Sequence, residues 1–238
     1  MSAEGALLFA RYAYPPNELG YCGPADAAGL LRRDATADIE RRARQFEGAW
    51  CYLQFLAEAA GLDDPLDARV VEAYWIGNEL LDLAAPAALV ERITDRFRGQ
   101  LGGTWREAGG RALAHHSFQV FEVYPWAAML RSSGHPTALS VLEQCRIRTG
   151  VVLEAGPDVA TVRSRPLCWD GAGLSDGAWR EETVRCSAGG RTLLDGLCSG
   201  DRVALHWDWV CDVITDEQAQ RIESIEERRR TELGLPAV

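Results

Sequence analysis

The chain has 238 residues, with 35 acidic against 25 basic side chains, a net charge of −10 and a sequence pI near 5.0. An acidic surface releases no counterions from a polyanion, which argues against nucleic acid or an anionic membrane as a partner. Every basic side chain other than histidine is arginine, so Schiff-base or P-loop chemistry that needs a lysine amine is excluded.

The length exceeds that of one small domain and suggests two packed units, residues 1–142 and 143–238. The start Met1-Ser-Ala-Glu-Gly5 lacks the basic and apolar regions of a secretory signal, and no run of eighteen apolar residues follows, so the reading is a cytoplasmic protein. The cysteines Cys22, Cys51, Cys145, Cys168, Cys186, Cys198 and Cys211 are odd in number and never spaced as Cys-x-x-Cys. They read as free thiols rather than a disulfide framework or zinc ribbon.

In chain order, Phe9 to Pro24 is rich in aromatic and turn-forming residues, and Pro15-Pro16 and Gly23-Pro24 predict an ordered loop. From Thr36 to Ala60, Ile39, Ala43, Phe46, Trp50, Leu53 and Ala57 recur at helical spacing, with Gly61 as the stop. Leu66 to Leu83 and Ala87 to Arg98 predict two further helices, each opened by a proline. Glu72 and Glu79 share a helical face but read as a solvated pair. Residues 111–124 fit a helix or an alternating strand, and Pro136 opens a short helix that runs into Cys145.

Beyond Cys145 the period changes to short β-like runs, at Arg146 to Leu153, Val159 to Pro166, Arg180 to Cys186 and Arg202 to Ile214, separated by Gly-rich turns. Thr215 and Gln218 form a capping box for a last helix whose Ala219, Ile222 and Ile225 can pack back on these strands. The fold class is therefore α+β: a mainly helical N-terminal domain, then a small β-barrel with a C-terminal helix.

Two groups of residues could carry chemistry. In the run Arg202 to Ile214, strand alternation puts Val203, Leu205, Trp207 and Trp209 on one face and Ala204, His206 and Asp208 on the other. His206 could thus meet Cys145 or a metal, or be tethered to Asp208 or to backbone. In the N-terminal part, Cys22, His115, His116 and Glu122 offer thiol, imidazole and carboxylate ligands for iron or zinc, and either conformation of residues 115–122 places one histidine beside Glu122. Structural hydrogen bonding explains the same residues equally simply.

The segment Gly200-Asp-Arg-Val-Ala-Leu-His206, followed by Ile214 and Ala219, together with Cys145-Arg-Ile-Arg-Thr-Gly150, resembles the small [NiFe]-hydrogenase assembly chaperones of the HypC/HupF type. The resemblance covers about residues 143 to 230 and implies an OB-like barrel. It also implies iron held by a thiolate at Cys145, with a maturation scaffold protein and the hydrogenase large subunit as partners. Cys145 is internal here, Thr149 stands where those chaperones have proline, and Asp208 where they have glycine. The whole chain also resembles an uncharacterised bacterial family of unknown function, through Ala10–Pro24, His115–Trp126 and His206–Cys211. The expectation is a non-enzymatic accessory protein that presents Cys145 and His206 to iron or to a maturation partner. The alternatives are a metal-dependent enzyme using His115 or His116, Glu122 and Cys22, and a purely protein-binding module.

Overall fold

A computed structural model describes residues 3–233. Helices dominate as far as Cys145, a small barrel follows, and a long helix closes the described chain. The architecture is α+β, a helical N-terminal part followed by a small barrel and a C-terminal helix.

Helix α1 (Ala3–Glu18) occupies the segment expected to be a loop. Ala6, Phe9, Ala10, Tyr12 and Ala13 bury one side of it, and Pro15 and Pro16 fall in its last turns. Two missing N–H groups there cost little helix compared with the burial gained upstream. A loop follows, held by Asn17, whose side-chain amide donates to the carbonyls of Cys22 and Pro24 at 2.8 and 2.6 Å.

The single helix expected over Thr36 to Ala60 is two, α2 (Thr36–Ala43) and α3 (Glu47–Ala60). Phe46 at the break packs edge-to-face on Phe9, with ring centroids 5.3 Å apart, and this tertiary contact overrides the continuous helical period. Gly61 ends α3 at φ 66°, in the left-handed conformation its position requires.

Leu66 to Leu83 likewise divides into α4 (Ala68–Trp75) and a 3-10 turn at Glu79–Leu83, because Gly77 at φ 98° turns the chain. Glu72 is not simply solvated: it accepts from Gln218 at 2.7 Å and from Asn78 at 3.1 Å, tying α4 to the last helix. Helix α5 (Pro86–Arg96) has its proline at the first position, as expected.

The ambiguous segment is helical: one α turn, α6 (His116–Phe118), runs into a π-helical turn at Gln119–Val123. Helices α7 (Trp126–Ser133) and α8 (Pro136–Cys145) then lead into the barrel.

Strands β1 (Arg148–Ala155), β2 (Val159–Ser164), β5 (Arg180–Arg185), β6 (Arg202–His206) and β7 (Trp209–Val213) close in the order β1-β2-β5-β7-β6. All neighbouring pairs are antiparallel except β5 with β7. With these five counted in chain order the barrel reads 1-2-3-5-4, which is OB-type topology. Strands β3 (Leu167–Trp169) and β4 (Leu174–Asp176) form a separate hairpin where a Gly-rich turn was expected.

The run Arg202 to Ile214 is not one strand but a hairpin, β6 and β7, turning at Trp207-Asp208 with Trp207 at φ 56°. Val203, Leu205 and Val210 fill the barrel, whereas Ala204, Trp209 and Cys211 join the large cluster built by α1, α3 and α4. Trp209 therefore pairs opposite His206 rather than sharing a face with Val203. One continuous apolar core crosses the junction between helices and barrel. Helix α9 (Asp216–Leu233) starts with the expected reciprocal cap between Thr215 and Gln218, and Ala219 and Ile222 are buried against it.

Candidate metal centre

Cys145 ends α8 three residues before β1, and His206 ends β6 next to it in the barrel. His116 begins the α6 turn from the helical part. These three side chains meet at the helix–barrel junction, with one ligand atom of each within 4.8 Å of the others. Tetrahedral coordination at about 2.0–2.3 Å needs ligand atoms about 3.5 Å apart, so side-chain shifts of about 1 Å would close the set.

The hydrogen bonds fix the imidazole tautomers. His206 Nδ1 lies 2.8 Å from the Tyr12 carbonyl and His116 Nε2 lies 2.9 Å from the Cys145 carbonyl. A carbonyl only accepts, so in each neutral ring that nitrogen carries the proton. His116 Nδ1 is left as an acceptor 3.3 Å from the Tyr74 hydroxyl, and His206 Nε2 has no well-aligned hydrogen bond among the described residues, with the Cys145 backbone nearby. His206, anchored through one nitrogen to a backbone carbonyl, is thus prepared as a metal ligand, whereas His116 would have to give up its Tyr74 contact to ligate through Nδ1.

Burial sets the protonation of the cluster. It pushes His116 down to about 4 and lowers His206 strongly, with His116 as the next contributor. Both rings are thus neutral donors near neutral pH. Burial also raises the Cys145 thiol far above its ordinary value, and Cys22 up to about 12. Without a cation, Cys145 is a protonated thiol; a metal ion supplies the charge that makes the thiolate stable there.

The cluster lies on the wall of a cavity of about 280 Å³. Cys145 is only 9% exposed, so access to it runs through this cavity and not along an open barrel edge. Cys22, from the loop after α1, lines the same cavity but lies outside the tight three-residue cluster.

The structure does not bring His115 and Glu122 to this place. His115 turns back to accept from the Ser117 amide at 3.0 Å, capping its own turn. Glu122 is fully buried and accepts from Arg111 Nε at 2.9 Å, from the Thr104 hydroxyl, and faces Arg229 at 4.0 Å. The π turn places Gln119, not Glu122, beside His116 on the cavity wall. Asp208 pairs with Arg185 at 3.0 Å, so His206 is tethered by backbone alone.

Sequence reasoning had His116 as one of two adjacent histidines with no way to choose between them. Gln119 and Trp207 gave a weaker signal still, because their importance lies in buried polar atoms without partners. Trp207 and Asp26 are the non-glycine residues with positive φ among the described residues, and backbone strain of this kind gathers at functional sites.

The same constellation of Tyr12, His116, Cys145 and His206 draws on segments distributed along the whole chain, and the family comparison covers that whole length. The chain belongs to the family of unknown function DUF6390, whose model matches residues 1–233. It matches no curated protein and no solved structure. Among the described residues, no helix is long and apolar enough to cross a membrane.

Proposed function

We propose that this chain is a metal-handling accessory protein that holds one transition-metal ion between His116, Cys145 and His206. The observation that carries the reading is the fully buried Nε2 of His206, without a well-aligned hydrogen bond and set beside a thiol and a second neutral imidazole. Two imidazoles and a thiolate suit iron, zinc or another borderline ion and disfavour magnesium or calcium. A three-residue set facing a cavity leaves a coordination position for an exchangeable ligand or a partner's side chain.

The more specific reading is iron handling during [NiFe]-hydrogenase assembly, with the large subunit or the maturation scaffold as partner. It is supported by the resemblance of residues 143 to 230 to HypC/HupF-type chaperones and by the OB-type strand order, with Cys145 leading into the first strand. Cargo exchange then requires a partner to reach the cavity, because Cys145 itself is nearly covered.

Anaerobic purification followed by elemental analysis tests the metal reading. One equivalent of iron or zinc is expected for the native chain, and much less than one for Cys145→Ser or His206→Gln. No retained metal after reconstitution with iron(II), zinc(II) or cobalt(II) overturns it. Pull-down with the hydrogenase large subunit and the scaffold tests the assembly role separately, and association with neither removes it.

The reading as a metal-dependent enzyme is favoured by one observation, the cavity that opens onto the cluster. Its residues would be His116, Cys22 and Cys145 with the barrel's His206, since His115 and Glu122 are committed elsewhere.

A further inference from the structure

The cavity beside the His–Cys cluster is more than an entry route for an ion. Aromatic side chains dominate its walls, including Tyr21, Phe46, Trp75, Tyr124, Trp126 and Trp207, and among the described residues no aspartate, glutamate or arginine lines it. Its volume of about 280 Å³ corresponds to about nine water molecules at about 30 Å³ each, which is room for one small organic molecule.

Against this apolar lining stand polar atoms that the protein itself leaves unsatisfied. Gln119 is 1% exposed; neither end of its carboxamide makes a well-aligned hydrogen bond, and its contact with the Tyr124 hydroxyl is weak. The indole N–H groups of Trp75 and Trp207, also buried and also on the wall, are likewise without partners. A buried amide without well-formed hydrogen bonds has given up its hydration for little in return, so an occupant that pairs with it is favoured. Gly48 keeps this corner open: a Cβ there would come within 3.2 Å of the Tyr124 hydroxyl and 3.7 Å of the Gln119 carboxamide.

We propose that this cavity binds a small, uncharged, planar molecule carrying an adjacent hydrogen-bond donor and acceptor, such as a primary amide, a lactam or a pyrimidone edge, read by the Gln119 carboxamide. A carboxamide is self-complementary, offering one N–H and one C=O side by side to the same pair on a ligand. The aromatic walls accept a flat face, and the lack of ionised side chains excludes carboxylates and ammonium groups, whose desolvation nothing on the wall repays. The site shares its cavity with the His116–Cys145–His206 cluster, but pairing with Gln119 requires no bound metal.

Benzamide, benzoate and benzamidine are matched probes of the same shape in neutral, anionic and cationic form. Their binding to the full chain is measured by calorimetry and by quenching of the tryptophans that line the cavity, once after chelator treatment and once after metal loading. Saturable benzamide binding, at least tenfold tighter than benzoate or benzamidine in the chelated protein, is the expected result. Gln119→Leu, which keeps the volume and removes the paired polar edge, should weaken benzamide about tenfold. Trp207→Phe provides a second variant that removes one donor, should Gln119→Leu not fold as judged by thermal unfolding. No saturable benzamide binding, equal affinity for benzoate, or unchanged affinity in both variants overturns the proposal. Such a failure leaves the metal reading intact, because metal content is measured independently of these probes.

Discussion

The Tyr12 carbonyl accepts the His206 Nδ1 proton at 2.8 Å, and it is free to do so because Pro16, four residues on in α1, has no N–H to donate to it. A proline that breaks the helical ladder thereby frees a carbonyl to anchor a histidine 194 residues beyond Tyr12. The bond takes up Nδ1 and leaves Nε2 as the nitrogen able to ligate. Tyr12 is itself held by stacking on Trp75, whose ring also contacts His116 and His206.

Pro16→Ala restores an N–H that competes for the Tyr12 carbonyl. The expected outcome is about a tenfold loss of metal affinity, the usual scale for disturbing the outer partner of a ligating histidine. Competition against a chromophoric chelator measures it, and a new exchange-protected amide at residue 16 confirms the cause.

Glu122 is a structural carboxylate paired with Arg111, so Glu122→Ala should lower stability by about 3 kcal/mol by leaving buried arginine charge uncompensated. Metal content per folded chain should not change. Denaturant unfolding and elemental analysis separate the two effects, and a loss of metal without a loss of stability would make Glu122 a ligand after all.

The chelated protein should lose stability in acid. His115 is pushed down to about 3 and His116 to about 4, burial being the main cause, whereas an unfolded histidine titrates near 6.5. Between about pH 4 and 6.5 the unfolded chain binds more protons than the folded one. Stability therefore rises with pH there, by up to about 1.4 kcal/mol per pH unit for each such histidine. His115→Asn should flatten part of that slope in a series of denaturant midpoints against pH.

Glu226 acts in the opposite sense. Burial raises it to about 7, against partial compensation from Arg146, so the folded chain keeps a proton that the unfolded chain loses near pH 4.5. Its contribution is complete below about 4.5 and is lost as the pH rises through about 7. Together with the histidines this places the stability optimum of the chelated protein near pH 6–7. Glu226→Gln should steepen the rise of stability between about pH 4.5 and 7, because it removes a term that opposes the histidines there, read from the same midpoints.

Local chemistry in the sequence was enough for the elements whose signals are short-range. The Thr215–Gln218 cap, Pro86 and Pro136 at helix starts, Gly61 at a helix end and the run of short strands after Cys145 all depend on neighbours within a few residues. So does the alternation of Val203 and Leu205 against Ala204 and His206, which follows from the pleat of one strand. Tertiary packing decided the rest. Burial of Phe9 and Tyr12 made a helix through a double proline, Phe46 divided a continuous helical stripe, and a hairpin at Trp207 reversed the face of Trp209. The choice of His116 over His115, and of Gln119 over Glu122, depended on a π turn set against the end of α8. Residues that lie far apart in the chain leave no mutual trace in their local patterns. Only the closed core brings Tyr12, His116, Cys145 and His206 close enough for a carbonyl, two imidazoles and a thiol to act as one site.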